Sequence, residues 1–104
     1  MLAKKYRLPI QEFVGKAGQS RKGRHFLLKI FNPNNVYSRF GVVISKKVAV
    51  KATTRNRIRR IVFDFFSSKL DLPTGDYLVI VLSGADNLSK EELIGELIKS
   101  ISLR

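Results

Sequence analysis

Apolar and polar residues recur along the chain with two different periods, and the switches between them mark the elements. From His25 to Phe31 the period is two. Phe26, Leu28 and Ile30 fall on one side and Leu27, Lys29 and Phe31 on the other, which predicts a β-strand. Arg39 to Ser45 repeats the pattern, with Phe40, Val42 and Ile44 facing one way. The intervening Asn32-Pro33-Asn34-Asn35 is strong turn chemistry, so the two segments are expected to pair as an antiparallel hairpin. Tyr77 to Leu82 is nearly all apolar, which suits a central strand covered on both faces.

Three other segments carry the helical period. Pro9 opens a short helix, at the position where its missing N–H does no harm, with Ile10, Phe13, Val14 and Ala17 on one face and Gly15 and Gly18 limiting its length. A second helix is expected from an N-cap at Thr53 or Thr54 to about Lys69. At roughly 100° per residue, Ile58, Ile61, Val62 and Phe65 form one apolar stripe on it. Ser89 and Glu92 have capping-box spacing for a last helix whose inward face carries Leu93, Leu97, Ile98 and Ile101. Gln19 to Arg24 is polar and basic and reads as a loop with at most a short edge strand, and Pro73-Thr74-Gly75-Asp76 breaks the chain. The order is a helix, two or three strands, a helix, a strand and a helix. That is an α+β fold with helices packed on a sheet. If the strands around the second helix are parallel, the general rule makes their crossover right-handed. The length of 104 residues suits one domain, 1–104.

Charge turns this outline into a functional question. The net charge is +12, and it is concentrated: residues 1–60 hold 16 Lys or Arg and a single acid, Glu12, whereas residues 61–104 hold 4 Lys or Arg and 7 acids. Self-repulsion on this scale costs stability unless a polyanion neutralises it. A nucleic acid is the expected partner, with an anionic membrane surface as the rival. No apolar stretch approaches the roughly 18 residues that span a bilayer. Met1-Leu2-Ala3-Lys4-Lys5 lacks the apolar core of a secretory signal. The absence of cysteine removes disulfides, zinc knuckles and thiol chemistry and fits a reducing cytosol, so a cytoplasmic location is expected.

The densest charge is Arg55-Asn56-Arg57-Ile58-Arg59-Arg60. Arg55, Asn56, Arg59 and Arg60 sweep the side of the helix away from its apolar stripe, and Arg57 lies at the far edge. Like charges at i,i+4, such as Arg55 and Arg59, weaken a helix, and cations in its first turns oppose the dipole. A sequence that accepts both penalties is expected to do so for an anionic ligand. Arginine suits phosphate because its planar fork reaches two oxygens, and first-turn N–H groups add donors. Upstream, Lys46 and Lys47 point to opposite sides if the strand continues, so at least one joins the basic surface. Phe63 falls between Arg59 and Arg60 on the wheel, away from the stripe. It is either covered by a neighbouring loop or a stacking platform for an unpaired base.

The run Phe40-Gly41-Val42-Val43-Ile44-Ser45-Lys46-Lys47, seven residues, then Arg55-Asn56-Arg57-Ile58-Arg59-Arg60 resembles the signature of the bacterial ribonuclease P protein component, whose second part is known as the RNR motif. The resemblance covers nearly the whole chain. It implies a four-stranded sheet in α-β-β-β-α-β-α order with a left-handed βαβ crossover holding the basic helix. It also implies a function. The partner RNA is the ribozyme that removes the 5′ leader of precursor tRNA using Mg²⁺, and the protein binds that RNA and the leader while contributing no catalytic residue, no bound cofactor or metal, and no need of a protein partner. Carried over by position, Lys46, Lys47, Arg55, Asn56, Arg57, Arg59 and Arg60 are the RNA-binding residues. Phe13 and Phe26 line the leader cleft between the first helix and the sheet, unless they are plain core residues, and Lys29 and Phe63 are further cleft candidates. Relatives often carry a large apolar residue where this chain has Ala17, a tyrosine where it has Lys29 and a basic residue where it has Phe63.

Two other classes compete. A self-sufficient nuclease needs a carboxylate pair or a His-carboxylate constellation, and the lone His25 with scattered acids offers neither. A ribosomal or chaperone-like RNA-binding protein needs the same charge, and only the motif spacing separates it.

Overall fold

The computed structural model describes residues 6–13, 18–32, 36–68 and 72–102. Its elements are α1 (Ile10–Phe13), β1 (Gln19–Lys22), β2 (Phe26–Phe31), β3 (Arg39–Val43), α2 (Ala52–Ser67), β4 (Asp76–Val81), a 3-10 turn at Ala85–Asn87 and α3 (Lys90–Ser102). The strands form one sheet in the order β1-β2-β4-β3. Pairing is antiparallel for β1–β2 and β2–β4 and parallel for β3–β4. The expected hairpin of β2 with β3 is therefore not formed. The nearly all-apolar β4 inserts between them, where neighbouring strands satisfy both its edges and helices and side chains cover its faces. The hairpin that does form joins β1 to β2, closed by the Gly23 N–H donating to the Phe26 carbonyl at 2.7 Å. It uses the segment that reads as a loop with at most a short strand. The turn residues Pro33, Asn34 and Asn35 lie outside the described residues.

Registry divides the strands into two sets. Phe26, Leu28 and Ile30 of β2 align with Tyr77, Val79 and Val81 of β4 and with Phe40 and Val42 of β3. This set forms the larger core with Ile58, Ile61, Val62, Phe65 and Phe66 of α2 and Leu93 and Leu97 of α3. The opposite set contains Phe31, Leu78, Val43 and Ile80, and it packs with Leu8, Ile10 and Phe13 from the first segment. The Leu8 N–H donates to the Phe40 carbonyl at 2.8 Å, so the chain before α1 runs along the outer edge of β3.

One helix boundary differs from expectation. α2 begins at Ala52 with Lys51 as N-cap and no side-chain cap hydrogen bond, so neither Thr53 nor Thr54 caps it. It ends at Ser67, where the Ser68 hydroxyl donates to the Phe65 carbonyl at 2.7 Å. In α3 the capping box forms as expected: the Ser89 N–H donates to Glu92 Oε1 at 3.0 Å and the Glu92 N–H to Ser89 Oγ at 3.2 Å. Leu93 and Leu97 face inward and Ile101 packs against the core, but Ile98 is 43% exposed. Ile98 lies past one edge of the buried arc, and Ile94 takes the place expected of it. Val14, Gly15 and Ala17, expected on or just past the first helix, lie outside the described residues, as does Lys69.

Candidate nucleic-acid interface

The basic residues converge on the connection between β3 and β4. β3 ends at Val43, and the Ser45 carbonyl then accepts the N–H groups of Val48 at 3.1 Å and Ala49 at 3.3 Å. This turn carries Lys46 and Lys47, and both are exposed. They project from the turn and do not alternate across a strand, because the strand has already stopped. Val48 and Ala49 are buried and anchor the turn to the core.

On α2 the apolar stripe faces the sheet as its periodicity requires, with Ile58 and Val62 fully buried. Asn56, Arg57 and Arg60 are exposed, and Arg59 is partly so. Arg59 Nη1 donates to Asn56 Oδ1 at 2.9 Å, one turn back, and Arg57 Nη2 donates to the Leu88 carbonyl at 3.3 Å. Arg55 is half-buried, and its Nη1 donates to the carbonyls of Ala49 and Val50, both at 2.8 Å. The first turn of α2 holds no acid. Among the described residues the side-chain contacts to a carboxylate are the Arg39–Asp76 ion pair and the His25–Glu96 hydrogen bond, and neither involves α2. Arg55, Arg57 and Arg59 are thus oriented by carbonyl and amide oxygens, and among the described residues none of them is in an ion pair with a carboxylate.

Phe63 does not belong to this surface. It is 7% exposed and part of the larger core, so it is no platform for a base. The buried arc of α2 is wider than its sequence stripe because α2 meets α3 and the turn at Ala85–Asn87 as well as the sheet.

A second surface lies on the α1 side of the sheet. Phe13 and Phe31 meet with ring centroids 5.0 Å apart, next to Leu8 and Leu78. Ile10, Val43 and Ile80 are only partly buried there. Lys29 shares this side, flanked in register by Ser20 and Leu78. Arg39 forms a two-point contact with Asp76, Nε to Oδ1 at 3.1 Å and Nη2 to Oδ2 at 2.9 Å, and lies over the Phe13 ring at 5.6 Å from its centroid. The hydrogen bond to Asp76 is the main reason the Arg39 guanidinium holds its proton more tightly than usual. Asp76 itself is fully buried. Phe26 is a correction: it is wholly buried on the opposite side, under α2 and α3, and cannot share a cleft with Phe13. Sequence reasoning missed Phe31 and Arg39. The first was visible in principle, since Phe31 has the parity of Lys29 along β2.

Among the described residues no group of three His, Cys, Asp or Glu side chains is placed to hold a metal ion, and no helix is long and apolar enough to cross a membrane.

Comparison with known proteins gives one consistent result. The Ribonuclease P family profile matches residues 4–102. The ribonuclease P protein component of a Pseudanabaena species is 33% identical over 106 residues, covering 97% of this chain and 91% of that protein. Its counterpart from Staphylococcus haemolyticus is 34% identical over 85 residues, covering 81% and 74%. Among solved structures, the RNase P protein of Staphylococcus aureus superposes with a TM-score of 0.82 at 25% identity, covering 92% of each chain. That of Thermotoga maritima gives 0.80 at 25%, covering 94% of this chain and 97% of the other.

Proposed function

The chain belongs to the ribonuclease P protein family, whose members are subunits of the endoribonuclease that processes the 5′ end of tRNA and associate with ribonuclease P RNA; from that premise we propose how its surfaces divide the work. Lys46, Lys47, Asn56, Arg57, Arg59 and Arg60 dock the catalytic RNA. The α1 side of the sheet, with Phe13, Phe31 and Lys29, receives the unpaired 5′ leader of precursor tRNA. Cutting belongs to the RNA and its Mg²⁺, with the protein supplying cations and a stacking floor but no group that reacts, in the cytoplasm.

The observation that carries the first assignment is the exposure of Lys46, Lys47, Arg57 and Arg60 on one crossover with no acid in the first turn of its helix. A cationic ridge with no carboxylate partner recorded among the described residues is unfavourable in isolation and favourable against phosphate, where each neutralised phosphate releases condensed counterions. The second assignment is supported by an apolar floor that is only partly covered and carries a lysine at its margin. Aromatic faces and cations together suit a flexible single strand.

Reconstitution tests the whole. Added to a bacterial ribonuclease P RNA at low Mg²⁺, the protein restores leader removal from precursor tRNA. With about five phosphates neutralised, the logarithm of RNA affinity falls with a slope of roughly −3.5 to −4.5 per decade of salt. A slope near zero would overturn the electrostatic account.

A further inference from the structure

We propose that Arg55, the first arginine of the basic helix, serves the RNA interface by holding the crossover loop and not by contacting phosphate. Its task is to fix the turn that presents Lys46 and Lys47. The proposal rests on the RNA-docking reading above and assigns this residue a different part in it.

The four arginines of Arg55–Arg60 are not equivalent. Arg57 and Arg60 are exposed, whereas Arg55, expected on the side away from the apolar stripe, is half-buried; on the wheel it lies only about 20° from Val62, at the edge of that stripe. Both hydrogens of its Nη1 are committed, one to the Ala49 carbonyl and one to the Val50 carbonyl. These two oxygens belong to the last stretch of chain before α2, which has no side-chain cap of its own. At the other end of the same loop the Ser45 carbonyl accepts two N–H groups. The connection from β3 to α2 is therefore pinned twice, by Ser45 behind Lys46-Lys47 and by Arg55 ahead of them. Charge-assisted hydrogen bonds are about twice as strong as neutral ones, so the Arg55 clamp is the stronger of the two pins.

The same contacts explain how the fold tolerates a cation at this place. Arg55 sits in the first turn of α2, where the helix dipole opposes positive charge, and four residues before Arg59, where like charges repel. Two carbonyl dipoles directed at its guanidinium offset both penalties without a carboxylate. Both oxygens take the same nitrogen, Nη1, and a lysine side chain ends one bond short of that position, so its ammonium does not reach the pair; that is a reason for arginine here that has nothing to do with phosphate.

The test is a double-mutant cycle on the full chain, with a bacterial ribonuclease P RNA as the probe and affinity measured well below the melting temperature of each variant. Arg55→Met is expected to weaken binding about tenfold in the parent and less than about twofold in the Lys46→Ala/Lys47→Ala background, because the lysines it positions are then gone. Arg55→Lys, which keeps the charge, is expected to lose nearly as much as Arg55→Met, and amide exchange at Val48, Ala49 and Val50 to accelerate in both. Equal losses in the two backgrounds, or retention of affinity by Arg55→Lys, would mean direct phosphate contact and overturn the proposal. Parental affinity in Arg55→Met, with only a lower melting temperature, would overturn it as well. Should Arg57→Ala, Arg60→Ala and Lys46→Ala/Lys47→Ala also bind like the parent, the RNA-docking reading itself falls. If only the lysine pair does so, the inference fails and that reading stands.

Discussion

The same strands build two unlike surfaces. On the side of α2 and α3, Phe26, Leu28, Val79, Val81, Phe40 and Val42 are buried with almost no residual exposure. The Phe40 ring stacks on Phe66 at 4.7 Å and on Tyr77 at 5.4 Å, each within 18° of parallel. On the side of α1, Phe13, Phe31 and Leu78 are buried while Val43 and Ile80 keep part of their surface in solvent. A lysine and a paired arginine share that side. Strand alternation supplies apolar residues to both sides, so the difference lies in what covers them. One side is filled by two long amphipathic helices. The other meets Ile10–Phe13 of α1 and retains apolar and cationic surface that a ligand can still bury.

The sharpest way to break this contrast is to cut the same residue type from each side. Phe26→Ala, on the filled side, is expected to destabilise by about 3–5 kcal/mol, because its site is too well packed to collapse. Urea denaturation followed by circular dichroism reads that loss, and leader affinity per folded molecule should not change. Phe31→Ala should cost less stability and weaken leader binding. If Phe26→Leu impairs leader binding more than Phe31→Leu, the two sides are wrongly assigned.

Next in size is Arg39→Ala. It strips the counter-charge from a fully buried Asp76 carboxylate and the cation from the Phe13 ring. Breaking a buried pair from one side costs about 3 kcal/mol or more, much of it the penalty of an uncompensated charge. The double variant Arg39→Ala/Asp76→Ala should recover part of it, and an additive double-mutant cycle would mean that the pair is not coupled. Lys29→Ala should then leave stability within about 0.5 kcal/mol of the parent, as at an ordinary surface position. It should weaken binding of a single-stranded leader several-fold, as seen by fluorescence anisotropy. An unchanged leader affinity would remove Lys29 from that surface.

What could be read in advance follows from which interactions are local. The alternation along Phe26–Phe31 and the stripe Ile58–Phe65 report burial directly, because side-chain direction depends only on backbone period. The Ser89–Glu92 box likewise joins neighbours in sequence. Strand order is different: the pairing of β2 with β4, and not with β3, compares sheet arrangements that differ in non-local contacts, and turn chemistry after Phe31 cannot rank them. The grouping of Phe26 with Phe13, carried over by position from the family resemblance, failed because Phe26 shares the parity of Leu28, on the side that α2 and α3 cover. The basic helix was legible as a charge pattern. The edge position of Arg55, about 20° from Val62 on the wheel, was legible too, but its partners were not, because they are backbone carbonyls that any sequence supplies.

The smallest effect belongs to the support of the filled side. The Glu92 carboxylate accepts the Ser89 N–H, and this hydrogen bond, followed by the one with the Ser89 side chain, holds its proton affinity below the usual carboxylate range. A carboxyl group whose folded value is lowered stabilises the fold above its unfolded value and loses that contribution as pH falls through the folded one. Glu92→Gln should therefore melt below the parent at neutral pH, and the gap should close as the solution is acidified past the carboxylate range. Ser89→Ala removes the other half of the box and should cost about 1 kcal/mol, the usual value of an N-cap hydroxyl. Both losses should be well below that of Phe26→Ala, because α3 is held on the sheet mainly by Leu93 and Leu97 and only trimmed by its cap. A Glu92→Gln melting difference that stays constant from neutral to acid pH would show that charge at Glu92 contributes nothing to seating the helix.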